Sequence, residues 1–334
     1  MRHMRWCWLL LVILFVVVFL NFEVVTNGVL TSMHTCIRVL IPSLFPFSVL
    51  SNFFCKIFLR ASVGVGIKTA FAEKRFVPGI VLGWIGGFPI GASLIRQASY
   101  DGEDITREVC LSSCGSSGYV VGVIGGVLCK DFVFGACLYL FQIAFSVVLI
   151  QKNANAKNTF DTRFSPETVH GSYVSYFVSA VRDSALTMLY VCAFTVVFST
   201  LSDLIACIFP FAHSKELIRV IFEFSTGGQM AWQTFSRLPG AFLVGFSVGF
   251  GGLSVHAQIY SFTEGFIRSY HRVIFFKLLV GLFCGTFSVL YFSMGILGIV
   301  FSVVLLLLVF ALKNLLDLRR KNEKTGRRAA CKMV

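Results

Sequence analysis

Three glycines in four positions are followed by a hydroxyl, an imidazole and a carboxamide at alternate positions in Gly249-Phe-Gly-Gly-Leu-Ser-Val-His-Ala-Gln258. Ser254 and His256 raise the question of a nucleophile and its base. Spacing argues against it. Two residues apart on a helix the side chains diverge, and Gly252-Leu-Ser-Val-His256 lacks the second glycine of the GxSxG elbow. No HExxH pair, paired-acid motif or phosphate-cradling loop occurs elsewhere. The eleven cysteines show no CxxC or Cys/His zinc spacing, and Cys110 and Cys114 read as small apolar residues. The sequence therefore implies no enzyme, cofactor or metal. The chemistry that remains is recognition: Ser254, His256 and Gln258 offer hydrogen bonds beside backbone that Gly249, Gly251 and Gly252 loosen.

Three other segments share this character. Glu223-Phe-Ser-Thr-Gly-Gly228 sets an acid before two hydroxyls and two glycines. On one unbroken helix Glu223, Thr226, Gln229 and Gln233 would share a face. Glu223 then either faces a cavity, where it carries a proton or helps hold a cation, or pairs with Arg219 at the interface. Gly86-Gly-Phe-Pro-Ile-Gly91 contains Gly87 and Pro89, and Ser112-Ser-Cys-Gly-Ser-Ser-Gly118 contains Ser116 and Ser117.

The elements that must position these residues are membrane helices. The chain has 334 residues, 56% hydrophobic and 13% charged, with a mean hydropathy of +0.81. Apolar runs of spanning length cover 6–22, 39–59, 119–150, 185–210, 238–262 and 273–312, and two are long enough to divide. The expectation is an all-α polytopic membrane protein of about eight to ten spans. Continuous runs rather than alternation exclude a membrane barrel. Glycine in a helix interior costs about 1 kcal/mol against alanine and proline about 3 kcal/mol. The four segments therefore predict broken or re-entrant helices, whose half-helix N-termini and freed carbonyls can meet a solute or ion. Packing is the competing explanation, since Gly245-x3-Gly249, Gly87-x3-Gly91 and Gly281-x3-Gly285 all match the small-xxx-small pattern.

A formal charge of +13 would point a soluble protein toward nucleic acid. Here Arg2 and Arg5 precede the first apolar run, and Lys313, Arg319, Arg320, Lys321, Lys324, Arg327, Arg328 and Lys332 follow the last. That pattern is a topology marker, with the C-terminal tail cytoplasmic and the bilayer, not nucleic acid, as the partner. The first run lacks a small-x-small cleavage site, so an uncleaved helix is expected. Arg38 and Arg182 read as interfacial anchors.

The expected organisation is a first membrane half over 1–150, a polar central loop over 151–183, a second half over 184–312 and a basic tail over 313–334. Arg38 and Arg182 open corresponding runs, Gly86–Gly91 corresponds to Glu223–Gly228, and Ser116 to Ser254. This order predicts a structural duplication, as in many transporters.

Ile41-Pro-Ser-Leu-Phe-Pro-Phe-Ser-Val-Leu-Ser51, Gly86-Gly-Phe-Pro-Ile-Gly-Ala92 and Gly249–Gln258 together resemble the sporulation integral membrane family YlbJ/SpoVV, grouped with the nucleoside-recognition Gate-domain proteins. The resemblance covers nearly the whole chain. Two segments depart from the family pattern: Glu223-Phe-Ser-Thr-Gly-Gly228 where it reads Glu-Ile-Thr-Asn-Gly, and Gly115-Ser-Ser-Gly-Tyr119 where it often reads Asn-Asn-Ser-Gly-Pro. The resemblance implies an architecture like that of concentrative nucleoside transporters and transport of dipicolinic acid into the forespore, from the mother cell across the outer forespore membrane. The expected solute-binding residues are Gly87, Pro89, Ser116, Ser117, Glu223, Thr226, Gly251, Gly252, Ser254, His256 and Gln258, with a small anionic solute as partner and a proton or cation as coupling ion. A nucleoside or ion permease, and a sporulation scaffold whose broken helices serve only packing, are the alternatives. Oligomeric state stays open.

Overall fold

The computed structural model describes residues 15–64, 75–150 and 172–330, together with Trp6, Trp8 and Val12. Among these residues every regular element is helical. In chain order they are α1 (Phe22–Thr35), α2 (Ile41–Gly64), α3 (Phe76–Gly86), α4 (Phe88–Gln97), α5 (Thr106–Ser112) and α6 (Phe132–Leu149). Then follow α7 (Tyr173–Ile208), α8 (Ser214–Phe222), α9 (Phe224–Thr234), α10 (Arg237–Phe250), α11 (Gly252–Thr263), α12 (Tyr270–Met294) and α13 (Ile296–Ala330). Two π-helical stretches, Cys36–Leu40 and Gly118–Leu128, lie between α1 and α2 and before α6.

Six helical stretches are long and apolar enough to cross a membrane, and α3 and the Gly118–Leu128 stretch are shorter apolar helices. The two longest apolar runs do divide. Lys130 and Asp131 separate Gly118–Leu128 from α6, and Gly295, at φ +58°, separates α12 from α13. The run at 39–59 does not stand alone: α1, the π turn and α2 form one rod through Phe58. The π turn has a local cause. Pro42 has no N–H and its ring would meet the carbonyl four residues back, and a wider turn relieves that conflict. Of the expected central loop, 151–171 falls outside the described residues, and α7 begins at Tyr173 with Ser172 as its N-cap. Arg2, Arg5 and residues 331–334 also fall outside them. Helix α13 continues through the basic segment as far as Ala330. Lys313 turns back to α6, where its ammonium donates to the carbonyls of Val148 and Leu149 at the helix end.

Helices α10 and α12 make the most extensive pairing in the molecule. Their seam is built on glycine. A Cβ on Gly249 would stand 2.6 Å from the Gly281 Cα, and one on Gly285 would stand 2.8 Å from the Phe242 ring. Lipid tails are as apolar as leucine, so such a pair gains from close approach rather than from escape of water. The two motifs Gly245-x3-Gly249 and Gly281-x3-Gly285 therefore serve packing. Gly249, counted above with the backbone-loosening glycines, belongs to this seam and is helical. Arg38 and Arg182 are both exposed, but Arg38 lies within the continuous rod Phe22–Phe58 and Arg182 within α7, not at the end of a helix.

Candidate functional site

The four glycine-bearing segments meet. Gly87 separates α3 from α4 at φ +99° and ψ −176°, a conformation open only to glycine. Pro89 follows in the first turn of α4, where no N–H is required. A Cβ on Gly87 would stand 3.0 Å from the Ser116 side chain, in the non-helical Ser113–Ser116 stretch. Gly251 (φ +85°) and Gly252 (φ +72°) divide α10 from α11. These halves have 14 and 12 residues, each short of the length needed to cross about 30 Å of hydrocarbon. A Cβ on Gly252 would stand 3.1 Å from the Phe224 nitrogen and 3.2 Å from that of Glu223, where α8 gives way to α9. A Cβ on Gly251 would stand 3.5 Å from the Phe88 ring. Aromatic rings fill the space between the breaks, with Phe224 edge-on to both Phe88 (5.4 Å) and Tyr119 (5.1 Å). A cavity of about 20 Å³ remains there, lined by Gly87, Phe88, Pro89, Ser116, Tyr119, Phe224, Val255 and Gln258 among others. It has room for about one water.

Non-helical backbone within a membrane must find partners inside the protein, and side chains supply most of them. Tyr139 donates to Trp84 O (2.9 Å), and the Trp84 indole donates to Leu111 O (2.8 Å). Gln142 accepts from Gly115 N (3.1 Å) and donates to Val248 O (3.0 Å), joining the Ser113–Ser116 stretch to the end of α10. Lys277 on α12 donates to Ser113 O (2.9 Å), and its ammonium stands 4.4 Å over the Phe88 ring. Tyr119 donates to Ser225 O (3.1 Å), and Tyr270 to His256 O (2.5 Å). The freed carbonyls are thus largely taken. The first turns of α4 and α11, by contrast, carry no side-chain cap.

Glu223 corrects the sequence reading. Neither an interfacial pair with Arg219 nor the face shared with Thr226 survives, because the helix breaks there: Glu223 is extended (φ −142°, ψ 112°) and N-caps α9. Its fully buried carboxylate accepts from Ser225 N (3.1 Å) and Oγ (2.8 Å), and from Thr226 N (2.8 Å) and Oγ1 (2.6 Å). The positive end of α9 is therefore already neutralised from within. Arg219 pairs instead with Asp203 at 2.5 Å, with Lys215 at 3.7 Å on the same carboxylate oxygen.

That ion pair forms the floor of a second, larger space. A cleft of about 510 Å³ opens between α1, α7, α8 and α9, and Asn27, Thr31, Asp203, Lys215, Arg219, Thr226, Gln229 and Gln233 are among its lining residues. Thr226 lines the cleft, and its hydroxyl binds Glu223. Arg219 also reaches Thr226 Oγ1 at 3.4 Å, and its Nε has no partner.

Of the expected site residues, Gly87, Pro89, Ser116 and Gln258 line the small cavity, and Gly251 and Gly252 form the break beside it. Ser254 and His256 lie buried in the first half of α11 with no hydrogen-bond partner on the hydroxyl or on either ring nitrogen. Ser117 stands apart, half-exposed, with its hydroxyl 3.5 Å from Ile85 O. Cys110 and Cys114 are buried and free, and no metal-binding cluster occurs among the described residues. Lys277 and Asp203 went unread in the sequence, although each is the lone charge of its apolar run. Gln142 and the aromatic bridges carried no such signal.

No protein-family model, no curated protein and no solved structure matches the chain.

Proposed function

We propose that this multi-pass membrane protein is a secondary transporter or facilitator of a small anionic solute. The observation that carries the reading is the meeting of four backbone interruptions at one buried point, beside a polar cleft of about 510 Å³. A membrane protein built only to hold partners gains nothing from breaking its central helices, since each break removes helical hydrogen bonds that side chains must then replace. Broken helices around a midspan point are the architecture of alternating access. The halves 1–150 and 184–312 each supply two of the four breaks, in keeping with a duplicated fold.

In this reading the cleft admits the solute and the junction of breaks passes it on. The junction is closed in this conformation, so passage requires α4 and α11 to turn at Gly87 and at Gly251–Gly252. Glu223 holds the first turn of α9 in shape. A coupling proton or cation would have to displace a donor at either acid, since Glu223 already accepts from Ser225 and Thr226 and Asp203 is paired with Arg219 and Lys215. The motif resemblance points to dipicolinate as the solute and to the outer forespore membrane as the location, and the basic residues after Leu312 point to a cytoplasmic C-terminal end. A nucleoside permease is the second reading, favoured by the mixed amide, hydroxyl and carboxylate lining of the cleft.

Uptake by proteoliposomes tests these readings together. Labelled dipicolinate should accumulate in vesicles carrying the purified chain and not in empty ones. Uridine uptake without dipicolinate uptake replaces the first reading with the second. A folded, inserted protein that moves neither, nor any inorganic ion, ends the transport reading in favour of a scaffold.

A further inference from the structure

We propose that Lys277, with His256 in the first half of α11, forms the subsite that takes a carboxylate group of the transported solute. The proposal rests on the transport reading above and goes beyond it by naming the charge-selecting residue.

Lys277 is fully buried in α12. Its hydrogen-bond acceptor is Ser113 O, its other polar neighbour is the face of Phe88, and among the described residues no carboxylate lies within ion-pair distance. Burying an ammonium without a counter-charge costs several kcal/mol, and ionisable groups inside a membrane mark solute and ion paths. Holding Ser113 O does not require a charge. A few residues away Gln142 performs the same service for Gly115 N and Val248 O with a neutral carboxamide. The lysine therefore adds what glutamine would not, a positive charge.

The surroundings have the same sign. Phe88, whose ring lies under the ammonium, is the first residue of α4, and that helix start carries no side-chain cap. The start of α11 is likewise uncapped, and Gly251 adjoins the Phe88 ring. Both helix starts present N–H groups and partial positive charge. The contrast with α9 is informative, because there the protein supplies its own carboxylate, Glu223. One further donor stands at α11, the His256 imidazole, 4% exposed with both nitrogens unpartnered. A lysine, an imidazole and two uncapped helix starts match a carboxylate, which accepts several donors at once. The closed junction holds about one water, so the carboxylate reaches Lys277 when α4 and α11 open.

The test uses the full chain in proteoliposomes with two flat probes, pyridine-2,6-dicarboxylate and its neutral diamide. Wild-type protein should take up the dicarboxylate and discriminate against the diamide. Lys277→Gln should lower dicarboxylate uptake by about tenfold or more and leave diamide uptake as it was, whereas Lys277→Arg should keep most of the discrimination. Dicarboxylate uptake by Lys277→Gln equal to wild type overturns the subsite. Should Lys277→Gln fail to insert, His256→Leu decides: it removes the second donor, and a several-fold loss for the dicarboxylate alone supports the subsite, while equal losses for both probes overturn it. Wild-type uptake of uridine but not of the dicarboxylate also overturns the subsite and leaves a permease standing. No uptake of any probe removes the transport reading itself.

Discussion

The seam between α10 and α12 and the junction at Gly87, Glu223 and Gly251–Gly252 are both rich in glycine, yet glycine does opposite things in them. In the seam Gly249, Gly281 and Gly285 stay helical, and what matters is the missing Cβ, which lets two backbones approach. At the junction what matters is the missing restriction on φ, since Gly87, Gly251 and Gly252 all have positive φ. Gly249 and Gly251, two residues apart, fall on opposite sides of this division. The same chain thus fixes one part of α10 rigidly against α12 and frees the next few residues to turn. A rigid support next to a turning point is the arrangement a moving half-helix needs.

The largest effect that sharpens this division should come from Gly249→Val. Its Cβ would meet backbone, the Gly281 Cα at 2.6 Å, rather than a side chain that can swing away. Overpacking of this kind costs about 1–3 kcal/mol and sometimes more, and rigid backbone on both sides puts this case at the upper end. Loss of a monodisperse peak in detergent chromatography is the expected outcome. A well-behaved, thermally unchanged variant would show that the seam is looser than its contacts imply. Next comes Glu223→Ala, which removes the α9 cap and strands two buried hydroxyls. A lost cap costs about 1 kcal/mol and each of the two stranded hydroxyls about 1 kcal/mol, so a total of about 3 kcal/mol should appear as a lowered melting temperature. Glu223→Gln, which keeps acceptor oxygen, should recover part of it.

These residues also show how much of the molecule its sequence reveals. The helical membrane class, the seam and the breaks at Gly87 and Gly251–Gly252 are all legible, because glycine and proline act locally and spanning runs are read by length. Glu223 is legible as an unusual residue but not as a cap. Setting it on one face with Thr226 assumed an unbroken helix, and the break falls on Glu223 itself. Asp203 and Arg219 are far apart in the chain, so their pairing depends on how α7 and α8 fold together. Lys277 was open to discovery as the single charge in a run of forty apolar-rich positions, 273–312. The bridges from Gln142, Tyr119 and Tyr139 depend on tertiary placement, and no local spacing announces them.

Gly251→Ala should separate folding from function. Alanine at φ +85° costs about 1–2 kcal/mol, and its Cβ would meet the Val255 side chain at 3.1 Å, a contact that side-chain movement can relieve. The variant should insert and melt slightly lower, yet lose most solute uptake, since a stiffened turn resists the motion of α11. Uptake equal to wild type would mean that α11 does not move in transport. The Gly249 and Gly251 variants thus set a variant that fails to fold beside one that folds and fails to work.

The smallest effect belongs to two neighbouring serines. Ser116 is buried, lines the junction cavity and accepts from Tyr119 N at 3.2 Å. Ser117 is half-exposed, and its only hydroxyl contact, to Ile85 O, is a long 3.5 Å. Ser117→Ala should therefore change stability by no more than about 0.5 kcal/mol and leave uptake alone. Ser116→Ala should cost about 1 kcal/mol and weaken solute affinity if the proposed path runs through the cavity that Ser116 lines. Equal behaviour of the two variants in uptake would break the link drawn between the cavity and transport, since burial beside Gly87 is what distinguishes one serine from the next.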